Sequence, residues 1–112
     1  MTNTLNKYDI VVVKFPFASS VKYKARPAVL ISSEAYKLTS RNTSIIMAIS
    51  SQIRSKLALE PIIEEWQASG LLKQSIFKAS VATIENDFII TKLGTLSKKD
   101  QIVLDQLLEK IC

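Results

Sequence analysis

Apolar residues in this chain come in short runs, none longer than five, and most are closed by proline, serine or an Asn-Asp pair. Runs of this length rich in β-branched side chains, with turn formers between them, read as strands, because branched side chains fit a pleated surface. Asp9-Ile-Val-Val-Val-Lys-Phe15 is the first and ends at Pro16; Ala28-Val-Leu-Ile31, opened by Arg26-Pro27, is the second. Ser44 to Ile49 is the third, and Leu57 to Ile63, interrupted by Pro61, is a weaker fourth at an edge or bulge. Gln74 to Ser80 and Phe88 to Leu93, separated by the turn residues Asn86-Asp87, complete six. Helical signals are few. Ser33 caps a single turn reaching Leu38, and the period changes only after Leu96. There Ser97 and Asp100 form a capping box, and Val103, Leu104, Leu107, Leu108 and Ile111 fall on one helical face. The pattern predicts a mainly β, α+β fold, a small barrel or sandwich, with an amphipathic C-terminal helix covering it or a partner.

The 112 residues suit one domain, 1–112, with no repeat or linker. At this length folding hides about 65% of the surface of the open chain, so neither a disulfide nor a metal is required for stability. No apolar run approaches the roughly 18 residues of a spanning helix, and Met1 to Lys7 carries no secretory signal, so a cytoplasmic protein without membrane contact is expected. Cys112 is the only thiol and there is no histidine. A Ser-His-Asp triad, a thiolate zinc set and an imidazole acid or base are thereby excluded. Catalysis must draw on Arg, Lys, carboxylates, hydroxyls or backbone; no metal site and no cofactor is expected.

Charge is informative by location. From Ile10 to Leu59 eight cations (Lys14, Lys22, Lys24, Arg26, Lys37, Arg41, Arg54 and Lys56) oppose the single anion Glu34, a balance of +7. From Glu60 onward six cations face eight anions, and the chain as a whole carries +5. A positive first half is the footprint of a face that binds a polyanion, since each phosphate neutralised releases counterions. A solvated, lysine-rich surface is the plain alternative.

Five blocks, in this order and spacing, resemble the MazF/PemK family of bacterial toxin ribonucleases over roughly Tyr8 to Ile111. They are Asp9-Ile-Val-Val-Val-Lys-Phe-Pro-Phe17, Lys24-Ala-Arg-Pro-Ala-Val-Leu-Ile31, Met47-Ala-Ile-Ser-Ser-Gln-Ile53, Gly70-Leu-Leu-Lys-Gln-Ser75, and Thr83-Ile84 followed by Leu93-Gly-Thr-Leu-Ser97. The resemblance implies an SH3-like β-barrel with short peripheral helices. It further implies a homodimer and the toxin of a type II toxin-antitoxin system, restrained by an acidic antitoxin. The implied activity is metal-independent, sequence-specific cleavage of single-stranded RNA. The family's catalytic arginine matches Arg26, and its catalytic hydroxyl, more often threonine, matches Ser50. Serine keeps the hydroxyl but loses the methyl that fixes its rotamer.

Elementary chemistry agrees with that pair. RNA carries its own nucleophile, the 2′-hydroxyl, so an enzyme without histidine need only align it and stabilise charge on the phosphorane. A guanidinium pairs bidentately with phosphate and stays charged, which suits Arg26, while Ser50 adds a neutral hydrogen bond. The products would be a 2′,3′-cyclic phosphate and a 5′-hydroxyl. Taken singly, Arg26 also reads as a surface cation and Ser50 as a turn hydroxyl bonding its own backbone. Lys22 and Lys24 are candidate phosphate contacts; Phe17 and Tyr23 are candidate stacking platforms for bases. Ser51, Gln52, Arg54 and Lys56 extend the candidate RNA path, and Trp66 reads as a packing or dimer residue.

Departures from the family pattern are specific. Many relatives carry an acidic residue, a glutamine and an arginine where this chain has Ala79, Ser80 and Ala82, and a glycine where it has Tyr8. A second reading therefore stands beside the first, a catalytically weak or inactive module binding RNA or the antitoxin. A gyrase poison on a related fold ranks below both.

Overall fold

The computed structural model describes residues 5–16, 23–52 and 60–111. Strands β1 (Asp9–Pro16) and β2 (Tyr23–Leu30) precede a one-turn helix α1 (Glu34–Thr39) and β3 (Thr43–Ser50). After the segment 60–75 come β4 (Ile76–Glu85), a single 3-10 turn (Asn86–Phe88), β5 (Ile89–Thr95) and α2 (Lys98–Ile111). The strands form one antiparallel sheet in the order β4-β3-β2-β1-β5.

That order forces curvature. A flat five-stranded sheet holds its outer strands roughly 19 Å apart, yet β4 and β5 are the two outer strands and only Asn86–Phe88 joins them. Three residues bridge no more than about 14 Å at full stretch, and less when coiled. The sheet must therefore roll. Val11 and Val13 of β1, Ala28 and Leu30 of β2, Ile46 of β3 and Ile84 of β4 accordingly meet in one cluster, closed by Phe88 and Ile89. Among the described residues the expected SH3-like barrel is thus a rolled sheet that hydrogen bonds do not close, mainly β with two helices.

The alternate side chains build a second core on the outer face. Ile10, Val29, Met47, Ile49 and Phe77 from the strands pack with Ile63, Leu71 and Leu96. Leu104 and Leu107 of α2 lie over them with Val103, Leu108 and Ile111, so the predicted apolar face of this helix covers the sheet. Trp66 packs against the same cluster. The N-terminus of α2 is capped as the sequence indicates: the Asp100 N–H donates to Ser97 Oγ at 3.3 Å. Asp100 is also fully buried, and its carboxylate accepts from the backbone N–H groups of Glu64 and Glu65, both at 2.9 Å. Ser33 caps α1 through the N–H of Tyr36.

Three expectations need correction. Strand β2 begins at Tyr23 rather than near Ala28, with Pro27 inside it, opposite Val12. Proline is tolerated because the described ladder to β3 starts one residue later, at Ala28. The weak fourth strand falls partly on 53–59, outside the described residues; of the rest, only Ile62 pairs, in an isolated bridge to Ile76. β4 continues past Ser80 to Glu85, because its exposed small residues carry no apolar alternation to mark it.

Two glycines interlock. A Cβ on Gly94 would stand 2.5 Å from the carbonyl oxygen of Ser69, and one on Gly70, at φ +91°, would stand 2.4 Å from that of Leu93. Backbone meets backbone here, so neither side can yield cheaply. Gly94→Ala is expected to destabilise the fold by about 1–3 kcal/mol, read as a lower denaturant midpoint at unchanged slope.

Candidate active site

The positions of Arg26 and Ser50 follow from pairing register. Val13 of β1 lies opposite Arg26 and Val11 opposite Ala28, and on the other side of β2 Ala28 lies opposite Ala48. The ladder between β2 and β3 runs from Ala28 opposite Ala48 to Leu30 opposite Ile46, and Arg26 and Ser50 each lie two residues beyond its open end. Side chains alternate along both strands, with Val29, Met47 and Ile49 in the outer core and Leu30, Ala28 and Ile46 in the roll. By this alternation Arg26 and Ser50 belong to one face, on neighbouring strands.

Each row rises from buried to exposed. Leu30 and Ala28 are buried and Arg26 is exposed; Ile46 is buried and Ala48 and Ser50 are half-buried. The two polar groups thus stand at the mouth of the roll, with apolar side chains beneath them. Arg26 has no ion-pair partner among the described residues. Ser50 Oγ accepts the Gln52 N–H at 3.1 Å, the local turn bond that its residue type favours. This bond occupies the oxygen as an acceptor and leaves the hydroxyl proton free to donate outward. Ser51 and Gln52 are exposed beside it.

The remaining candidates divide. Phe17, Lys22, Arg54 and Lys56 lie outside the described residues, as do the side chains of Tyr23 and Lys24, whose backbone opens β2. Strand β4 adds two residues that the sequence reading did not single out as site residues in their own right. Ile76 lies opposite Ser50 and Ala82 opposite Ile46, so Lys78 and Ser80, between them, belong to the same row. Reading Ile76, Lys78, Ser80, Ala82 and Ile84 with a period of two would have exposed it.

Other polar features serve the fold. Asp9, buried at the start of β1, accepts from the Asn6 N–H and from Thr95 Oγ1, both at 2.8 Å, and pairs with Lys92 at 3.3 Å. A cleft of about 240 Å³ lined by Leu5, Lys7, Ser33, Lys37 and Asn86 lies at the opposite end of the strands from Arg26. Lys37 there donates to the Leu5 carbonyl at 2.9 Å, bracing the chain before β1. Among the described residues no three carboxylate, thiol or imidazole groups converge, and no helix is long and apolar enough to cross a membrane.

The profile of the PemK-like, MazF-like toxins of type II toxin-antitoxin systems matches residues 6–112. The chain belongs to this family. Solved structures agree on the fold. A Mycobacterium tuberculosis toxin, MazF-mt6, superposes with a TM-score of 0.72 at 18% identity, over 91% of this chain and 93% of its own. An endoribonuclease from a mycobacterial species, solved in complex with its cognate antitoxin, gives 0.71 at 12% identity, over 97% and 93%. A further mycobacterial endoribonuclease gives 0.72 at 12%, over 96% and 90%. No curated protein sequence matches the chain significantly. Against the family pattern, Tyr8 stands where a glycine is common, and it takes a glycine-like φ of +78°.

Proposed function

We propose that this PemK/MazF-like toxin is an endoribonuclease that cuts single-stranded RNA by attack of the ribose 2′-hydroxyl on its own 3′-phosphate. The observation that supports this most is the shared face of Arg26 and Ser50, each two residues beyond the paired Ala28 and Ala48. The 2′-hydroxyl loses its proton as the O2′–P bond forms, and the 5′-oxygen takes one up as the P–O5′ bond breaks. A 2′,3′-cyclic phosphate and a 5′-hydroxyl result. Arg26 neutralises the non-bridging oxygens through its planar fork, and the Ser50 hydroxyl donates to one of them. The Gln52 N–H holds the Ser50 oxygen in place before substrate arrives, while the hydroxyl proton rotates to meet its acceptor.

The +7 first half supplies the field that draws RNA, and an acidic antitoxin segment would compete for the same charge. Complex formation with such a segment is expected to weaken steeply between low and high salt. A homodimer, suggested by the family, is tested by light scattering.

The deciding experiment incubates the purified protein with a long single-stranded RNA in EDTA. Cleavage leaving 5′-hydroxyl ends, and its loss when the RNA is 2′-O-methylated, is the expected result. An intact wild-type digest favours the second reading, a binding module, for which Ala79, Ser80 and Ala82 are the motivating residues. Ser50→Ala is expected to lower the cleavage rate about 10-fold to 100-fold, and Ser50→Thr to retain most of it. Equal rates for all three proteins would remove Ser50 from the chemistry.

A further inference from the structure

We infer that Lys78 is a phosphate-binding residue for the RNA strand that crosses the Arg26–Ser50 mouth. The inference rests on the proposed ribonuclease reading and names the next contact along the same face. Three observations carry it.

First, Lys78 shares the row of Ser50. It lies two residues from Ile76, the direct partner of Ser50, a step of about 7 Å along the strand. Across β3 and β4 Ser50 meets Ile76 directly, and Lys78 stands on the same face one step further along β4, level with Ala48. Second, its charge is unspent. Lys92 is paired with Asp9 and Lys99 with Glu64 at 2.8 Å, while Lys78 is exposed and has no ion pair among the described residues. Glu85 and Asp87 stand at the far end of β4 beside the 3-10 turn; the nearer carboxylate is that of Glu60, next to Pro61, whose carbonyl accepts from the Phe77 N–H. Third, the backbone is irregular there. Phe77 pairs with Ile49 and Val81 with Met47, so Lys78, Ala79 and Ser80 oppose Ala48 alone. Such a bulge bends the strand, and because it adds two residues it keeps the alternation by which Lys78 shares the face of Ile76 and Ala82. Ala48, a small residue opposite Lys78, keeps the surface low beside it, leaving room for a polymer strand.

The test is equilibrium binding of a fluorescent, 2′-O-methylated single-stranded RNA, which cannot be cleaved through its 2′-oxygen, measured by anisotropy at several salt concentrations. Lys78→Ala is expected to weaken binding roughly three- to tenfold and to reduce the slope of log affinity against log salt by about 0.7, the value of one contact on a single strand. Lys78→Arg is expected to restore both, and Lys110→Ala, on the last turn of α2, to change neither. If the wild-type protein does not bind RNA, the ribonuclease reading fails. If it binds and Lys78→Ala keeps the wild-type slope, the role of Lys78 alone is overturned.

Discussion

Arg26→Ala is expected to lower the rate of RNA cleavage about 10²–10³-fold while leaving the fold intact. The magnitude follows from removing a permanent cation on the face that carries Ser50. The intact fold follows from the position: Arg26 is exposed at the mouth and has no ion pair among the described residues, so no buried partner is stranded. Arg26→Lys should recover only part of the rate, because an ammonium keeps the charge but cannot grip two phosphoryl oxygens in one plane. Single-turnover cleavage in EDTA measures the rate, and thermal melting of each variant separates chemistry from unfolding. An Arg26→Ala protein that melts like wild type and still cuts at the wild-type rate would dismiss the arginine from catalysis.

Asp100→Ala is expected to be the most destabilising single truncation of a polar side chain. This carboxylate is fully buried and holds the N–H groups of Glu64 and Glu65, while Ser97 Oγ donates to it at 3.3 Å. It therefore ties the start of α2 to the segment that carries Ile63 under the sheet. Truncation strands two amide donors, each costing about 1–3 kcal/mol. The sum is about 2–6 kcal/mol, a fall in melting temperature of roughly 10–40 °C for a domain of this size. Asp100→Asn keeps one acceptor oxygen and should lose less. Lys99 neighbours it, paired with Glu64, whose hydrogen bond and charge raise the pKa of the ammonium. That exposed pair contributes little, and Lys99→Ala should leave the melt almost unchanged.

Local signals made part of this architecture legible. β1 was marked by three consecutive valines ending at a proline, and α2 by Ser97, Asp100 and a repeated apolar face. Those cues act within a few residues, where steric preference and capping suffice. Pairing order was not legible: nothing in the runs themselves indicates that β4 and β5, adjacent in sequence, lie at opposite edges of the sheet. The Arg26–Ser50 face belongs to that hidden level. The sequence suggested both residues, but only the strand order puts them on neighbouring strands of one face. Lys78 escaped because Ala79, Ser80 and Ala82 blurred the strand that carries it. Tyr8 escaped because a left-handed tyrosine is rare, and its conformation is held by contacts distant in sequence. Its N–H donates to the Leu30 carbonyl at 2.8 Å, and its carbonyl accepts from the Leu96 N–H at 3.0 Å.

The side chain of Tyr8 has one more partner. Its hydroxyl donates to the Asp105 carboxylate at 2.8 Å, and burial, then that hydrogen bond and charge, raise the pKa of the phenol. The bond joins the threshold of β1 to the middle of the final helix, so α2 is fastened at two points, here and at Asp100, to segments far away along the chain. Loosening either fastening would leave the helix to rely more heavily on its apolar contacts.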